Sequence, residues 1–104
     1  MIVPQLIKLV DEIQYRDHQI ASKSFTHKLG IVLPFVLYAL DAGESISNEQ
    51  STLTRLFEVV DGTLTVVTDH PIQVQTGEVL VIPANTLHEI RADQRCKFVQ
   101  LETK

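Results

Sequence analysis

The chain lacks nearly every device that staples a small protein together. Its 104 residues include one cysteine, Cys96, and no tryptophan. A single cysteine closes no internal disulfide and makes no zinc cluster, so a disulfide scaffold and a cysteine-based metal site are both excluded. Long apolar runs are also missing. The longest near-continuous stretch, residues 29–40, contains Gly30 and Pro34 and falls well short of the roughly 18 to 20 residues that cross a bilayer. The start, Met1-Ile2-Val3-Pro4, has no basic region leading into an apolar run and a small-residue cleavage site, which predicts a cytoplasmic protein with no membrane partner. Positive charge is scarce: nine Lys and Arg face 13 Asp and Glu, a net charge of -4, and the basic residues are scattered from Lys8 to Lys104. Nucleic acid is therefore not an expected partner. Two domains would leave each half too small to sustain a core, so one domain over residues 1–104 is expected.

What is present is a dense alternation of short β-rich runs. Leu6, Ile7, Leu9, Val10 and Ile13 after Pro4 fit a helical stripe and predict a short N-terminal helix. From Gln19 onward the period changes. Runs at 19–25 and 31–40 are broken by residues 26–30, and Pro34, which has no amide proton to donate, belongs on an edge or at a bulge. A turn at 41–44 leads into a stretch at 46–60. Asp61-Gly62, between apolar runs at 56–60 and 63–67, predicts a tight hairpin. Further runs at 72–75, 79–82, 87–91 and 97–102 are separated by turn residues. Eight or nine short strands without βα alternation predict an all-β antiparallel sandwich or barrel. Phe57, Val59, Leu64, Val66, Val74, Leu80 and Ile82 are the expected inward set.

Two spaced patterns sharpen this. Gly77, Pro83 and His88 match G-x5-P-x-G-x2-H, with Asn85 in place of the internal glycine; asparagine tolerates the left-handed backbone such a turn needs. Gly43 and Gly62 stand at the bounding positions of G-x5-H-x-H-x3-E-x6-G. With motif 1 at 43–62 and motif 2 at 77–92, the chain resembles the cupin family, in its small, single-domain, RmlC-like form. The resemblance implies a cupin jelly-roll β-barrel. It also implies a site of three neutral imidazoles and one carboxylate around a divalent cation.

Three of those four metal positions are changed, to Glu49, Ser51 and Arg55, and only His88 is kept. Glutamate can still ligate, serine is a poor ligand, and a permanent guanidinium aimed at the same point repels a divalent cation. No metal and no other cofactor are expected. Positions 49, 51 and 55 share one strand parity, which predicts that all three project inward beside His88 at the barrel mouth.

Several functions remain open on these residues. In the leading reading the protein is metal-free and binds a small anionic metabolite through Glu49, Ser51, Arg55 and His88, with Arg55 holding a carboxylate or phosphate. In a second, it is an isomerase, lyase or epimerase in which Glu49 and His88 divide acid and base work on a small polar substrate. In a third, a Glu49–Arg55 ion pair plugs the barrel of a structural dimer. A residual metal site joining His88 and Glu49 to Glu58 or Glu89 is opposed by strand parity. A Ser51–His88 nucleophile lacks an orienting acid and an oxyanion hole. Cys96, between Arg95 and Lys97, is a thiolate if exposed and core packing otherwise. His18, His27 and His70 fall in expected loops and are solvated. A long unpaired edge at 19–25 or 31–40, together with the family resemblance, predicts a homodimer.

Overall fold

The computed structural model describes residues 4–104; Met1, Ile2 and Val3, on which the leader reading rests, lie outside them. The strands are β1 (Ile20–Ser24), β2 (Phe35–Leu40), β3 (Ser45–Glu49), β4 (Thr54–Asp61), β5 (Thr63–Val67), β6 (Pro71–Gln75), β7 (Val79–Ile82), β8 (His88–Arg91) and β9 (Cys96–Thr103). They form two antiparallel sheets, one in the order β1-β2-β9-β4-β7 and the other β3-β8-β5-β6. The result is an all-β jelly-roll sandwich. No helix among the described residues is long and apolar enough to cross a membrane.

Alternation decides what lies between the sheets. Phe57 and Val59 on β4, Leu64 and Val66 on β5, Val74 on β6, Ile82 on β7 and Phe98 on β9 are buried in one cluster, with Leu80 packed against it. The seven residues read as inward from the sequence all lie there. A second cluster covers the outer face of the five-stranded sheet. Leu37 and Ala39 of β2 and Val99 of β9 meet Phe25 and Ile13, with Ile7, Leu9 and Tyr15 packed around them.

The N-terminal segment therefore works as a cover, and not as the expected helix. It contains one 3-10 turn, Leu9–Asp11, whose cap residue Lys8 offers no side-chain acceptor. A two-turn helix nucleates poorly alone, whereas the irregular backbone lets its apolar side chains reach the sheet. The Lys97 ammonium donates to the Val10 carbonyl at 2.8 Å, and the Tyr15 hydroxyl donates to Asp61. Burial and the Asp61 carboxylate together push the Tyr15 hydroxyl well above its ordinary range. Nearby, Asp41 accepts from the Arg95 guanidinium at 2.8 Å and from the His18 amide at 2.7 Å. Arg95, foremost, holds the Asp41 carboxyl at about 2.

Three further expectations change. A helical turn, α1 (Thr26–Leu29), links β1 to β2 and carries His27. β2 is interior, hydrogen-bonded to β1 and β9, so the 31–40 run is not an edge; β1 and β7 are the edges of that sheet. Pro34 sits just before β2, where its carbonyl accepts from the Glu102 amide at 3.2 Å. Asp61-Gly62 does not close a hairpin. β4 pairs with β7 and β9, while β5 pairs with β6 and β8, so Gly62 is a corner where the chain leaves one sheet for the other. The same positive φ that a hairpin turn would use, +79°, redirects the strand here, and the Arg95 carbonyl lies close on the side where a side chain would sit. A Cβ on Gly62 would lie 2.3 Å from that oxygen, whereas Gly43, at φ +88°, has open space around it. Backbone handedness alone costs about 1–2 kcal/mol at either position. Gly62→Ala should therefore lower Tm clearly more than Gly43→Ala. Equal losses in thermal denaturation would contradict the crowded-corner account.

Candidate functional site

Four elements meet at one end of the barrel. β3 reaches it through a bulge. Ile46 pairs with Ile90 and Glu49 with His88, a spacing of three against two, and Asn48 takes up the extra residue at φ +57°. The bulge turns Glu49 inward, beside the first residue of β8. Across the barrel, Arg55 on β4 pairs with Glu102 of β9 on one side and with Ile82 of β7 on the other. Phe98, Gln100 and Glu102 are alternate residues of β9 and share its inward face.

The Arg55 guanidinium is the centre of the arrangement. Nε donates to Glu102 Oε1 at 3.2 Å and Nη1 to Glu49 Oε1 at 3.2 Å. Nη1 also lies 3.3 Å from His88 Nε2. Arginine has only donors, so Nε2 meets it with a lone pair; the other ring nitrogen lies 2.8 Å from the Thr86 carbonyl, which only accepts. His88 is therefore held as the neutral Nδ1–H tautomer. It is buried, its ring edge-on to Phe57 at 5.8 Å. The side chains of Arg55 and Glu102 are 11% and 12% exposed, that of Glu49 32%.

Ser51 is not on a strand, and the expected 46–60 stretch is two strands in different sheets, so a shared strand parity does not relate positions 49, 51 and 55. Residues 50–53 form a loop between β3 and β4. Ser51 still reaches the site: its hydroxyl donates to Glu102 Oε2 at 2.9 Å and accepts from the Leu53 amide at 3.0 Å. Its proton faces Glu102 and not His88, which removes the geometry of a nucleophile pair. The Ser51 carbonyl accepts from the Asn85 amide at 2.7 Å, tying this loop to the 83–87 turn, where Asn85 takes the left-handed φ of +65° expected for it.

Glu102 is the member that sequence reasoning missed. Continuing the alternation of Phe98 to positions 100 and 102 places it on the inward face, but nothing in the order of residues reveals that β9 lies beside β4. Gln100, buried one inward step deeper, has an amide oxygen without a partner among the described residues. Tyr38 stacks on Phe98 at 5.1 Å; burial first, then the Glu49 and Glu102 charges, push its hydroxyl above the ordinary value.

The other candidates stay outside. Glu58 is exposed and Glu89 accepts from Ser47, out of phase with the mouth as parity requires. His18, His27 and His70 are exposed. Cys96 is fully buried, and that burial pushes its thiol up to about 12, so it is core and not a thiolate. Beside the Glu49–His88 pair a cleft of about 400 Å³ opens between Asn48, Val67 and Leu87. It shares Thr68 and Leu87 with a second, more apolar cleft of about 600 Å³ that reaches Leu80 and Ile82.

Among the described residues no three His, Cys, Asp or Glu side chains converge as metal donors. The metal of the cupin fold does not fit this donor set, because the one imidazole and both carboxylates already turn their lone pairs on the Arg55 guanidinium.

No family model and no curated protein matches the chain. Solved structures do. A conserved protein of unknown function from Streptococcus pyogenes is 20% identical with a TM-score of 0.84, over 96% of this chain and 87% of its own. A cupin superfamily protein from Desulfitobacterium hafniense is 24% identical at a TM-score of 0.82, covering 98% and 94%. An RmlC-like cupin from Desulfovibrio desulfuricans is 18% identical at 0.79, covering 97% of each chain. The chain has the cupin fold. With a guanidinium in the donor cage, protein purified without chelator should carry far less than one equivalent of iron, manganese, nickel or zinc. Elemental analysis giving close to one metal per chain would contradict the assignment of this cage to Arg55.

Proposed function

We propose that this cupin-fold chain is a metal-independent binder of a small molecule bearing an acidic group, with Arg55 standing in the mouth where other cupins hold a cation. The observation that carries the reading is the position of Arg55 Nη1, 3.2 Å from Glu49 and 3.3 Å from His88. A fixed positive charge thereby occupies a cage of inward residues, of which His88 also lines the cleft of about 400 Å³. Of the five guanidinium protons, three are committed: one to Glu102, one to Glu49 and one to His88. The two on Nη2 meet no acceptor among the described residues and are available to a ligand. His88 and Ser51 act as positioning residues, the first through Nη1 and the second by holding Glu102. Leu87, Val67 and Ile82 supply the apolar wall that covers the rest of a bound molecule.

One observation favours a structural plug instead. Glu102 gives Arg55 a second carboxylate, so the guanidinium is better satisfied than Glu49 alone would leave it. Acid–base catalysis gains no such support, because the Nδ1 proton of His88 is held by the Thr86 carbonyl and its Nε2 lone pair faces Arg55, so neither ring nitrogen is open to a substrate while the network is closed.

The readings separate in an NMR titration with acetate, propionate and benzoate. Binding in the millimolar range or tighter is expected for the wild type, with the Arg55 Nε–H signal shifting. The double variant Arg55→Leu/Glu102→Gln, which leaves no lone carboxylate buried, should bind at least about tenfold more weakly. Equal binding by the double variant would place the site elsewhere, and no binding by wild type would favour the plug. The same proposal includes a homodimer with C2 symmetry formed along the exposed edge β1. Light scattering at micromolar concentration should give the mass of two chains; the mass of one would remove the dimer and leave the binding site standing.

A further inference from the structure

We infer that Glu49 is a built-in competitor for the ligand, occupying the place on Arg55 that a ligand carboxylate takes, and that the site is therefore selective for monocarboxylates. The inference rests on the binding reading above and deepens it.

The two carboxylates on Arg55 are not equivalent. Glu102 is held at both oxygens, by Arg55 Nε at 3.2 Å and by the Ser51 hydroxyl at 2.9 Å, and its side chain is 12% exposed. Glu49 touches Arg55 through one oxygen only, and its side chain is 32% exposed. No other hydrogen bond holds its carboxylate among the described residues. Glu102 is thus the anchor and Glu49 the displaceable partner.

Displacement improves the geometry offered to a ligand. Glu49 uses one proton of Nη1. If it swings out, Nη1 and the unpartnered Nη2 together offer an end-on fork, one N–H from each, to which a planar carboxylate docks through two parallel bonds. The exchange also balances charge. Two carboxylates against one guanidinium and a neutral imidazole leave the mouth with one net negative charge, which resists any anion that simply adds. A monocarboxylate that replaces Glu49 leaves this sum unchanged. A phosphate, which carries more than one negative charge at neutral pH, makes it more negative beside Glu102. Room for the rest of the ligand lies next to the exchange point. The cleft of about 400 Å³ is bordered by Asn48 and His88, the neighbours of Glu49 in the chain and across the ladder, and by the apolar side chains of Val67 and Leu87.

A competitor within the protein lowers apparent affinity by the fraction of molecules in which it has let go, and removing it restores the intrinsic value. Glu49→Ala should therefore tighten acetate and benzoate by about tenfold or more relative to wild type. Glu49→Gln, which keeps an acceptor for Nη1 without the charge, should shift both in the same direction by less, and it decides the matter if the alanine variant does not fold. Inorganic phosphate should bind more weakly than acetate to the wild type. Unchanged or weaker carboxylate binding by the Glu49 variants would overturn the competitor role while leaving Arg55 as the binding residue. Phosphate binding tighter than acetate would overturn the selectivity in the same way. If no probe binds wild type or either variant, the binding reading itself fails and the inference goes with it.

Discussion

The arrangement of the barrel mouth depends on one buried cation that has to be neutralised where it stands. Arg55 sits 11% exposed, on an inward position of a central strand. Leaving such a charge unpaired costs about 3–5 kcal/mol. The surroundings are arranged accordingly. Glu102 arrives from the neighbouring strand, Glu49 from the opposite sheet through a bulge, and the His88 lone pair from the strand beside it. Even Ser51 contributes indirectly, by fixing the second oxygen of Glu102. Both sheets are joined at this point by charge, as they are joined below it by Phe57, Phe98 and Ile90.

The same positions that the cupin resemblance assigns to metal ligands are organised here around a guanidinium. A divalent cation organises three imidazoles and a carboxylate from the same strands; here a guanidinium organises two carboxylates and one imidazole. The substitution changes the chemistry available. A metal offers open coordination positions and Lewis acidity, whereas Arg55 offers fixed charge and directional donors, which suit recognition of an acidic group. It also sets the tautomer of His88, since an arginine neighbour demands a lone pair on Nε2.

Much of the fold was legible in the sequence, and for identifiable reasons. Alternation placed Phe57, Val59, Leu64, Val66, Val74, Leu80 and Ile82 correctly because one face of each strand is buried and a one-residue slip would reverse it. Asn85 was read correctly as a left-handed turn residue. The failures occurred where local pattern competes with long-range contact. Asp61-Gly62 has the local chemistry of a hairpin, yet strand pairing is decided by which sheet each run joins, and the Arg95 carbonyl beneath Gly62 is 33 residues away in the chain. Similarly, the 6–13 stripe looks helical, but its apolar residues are satisfied by the outer face of a sheet. At the site, Glu49, Arg55 and His88 came together as the spaced motifs implied. Ser51 reached its partner from a loop, and Asn48 absorbed a bulge that parity does not register. Glu102 was invisible because its role depends on the β4–β9 pairing, which no nearby residue encodes.

The claim that Arg55 takes the cation's place is most directly tested at the His88 ring. Nitrogen-15 spectra of histidine-labelled protein at neutral pH should show the neutral Nδ1–H tautomer, with Nε2 unprotonated and hydrogen-bonded to the Arg55 guanidinium. That signature should be unmoved by added zinc or nickel. A protonated Nε2, or a ring signal that shifts on addition of stoichiometric metal, would mean that the mouth is organised by something other than Arg55.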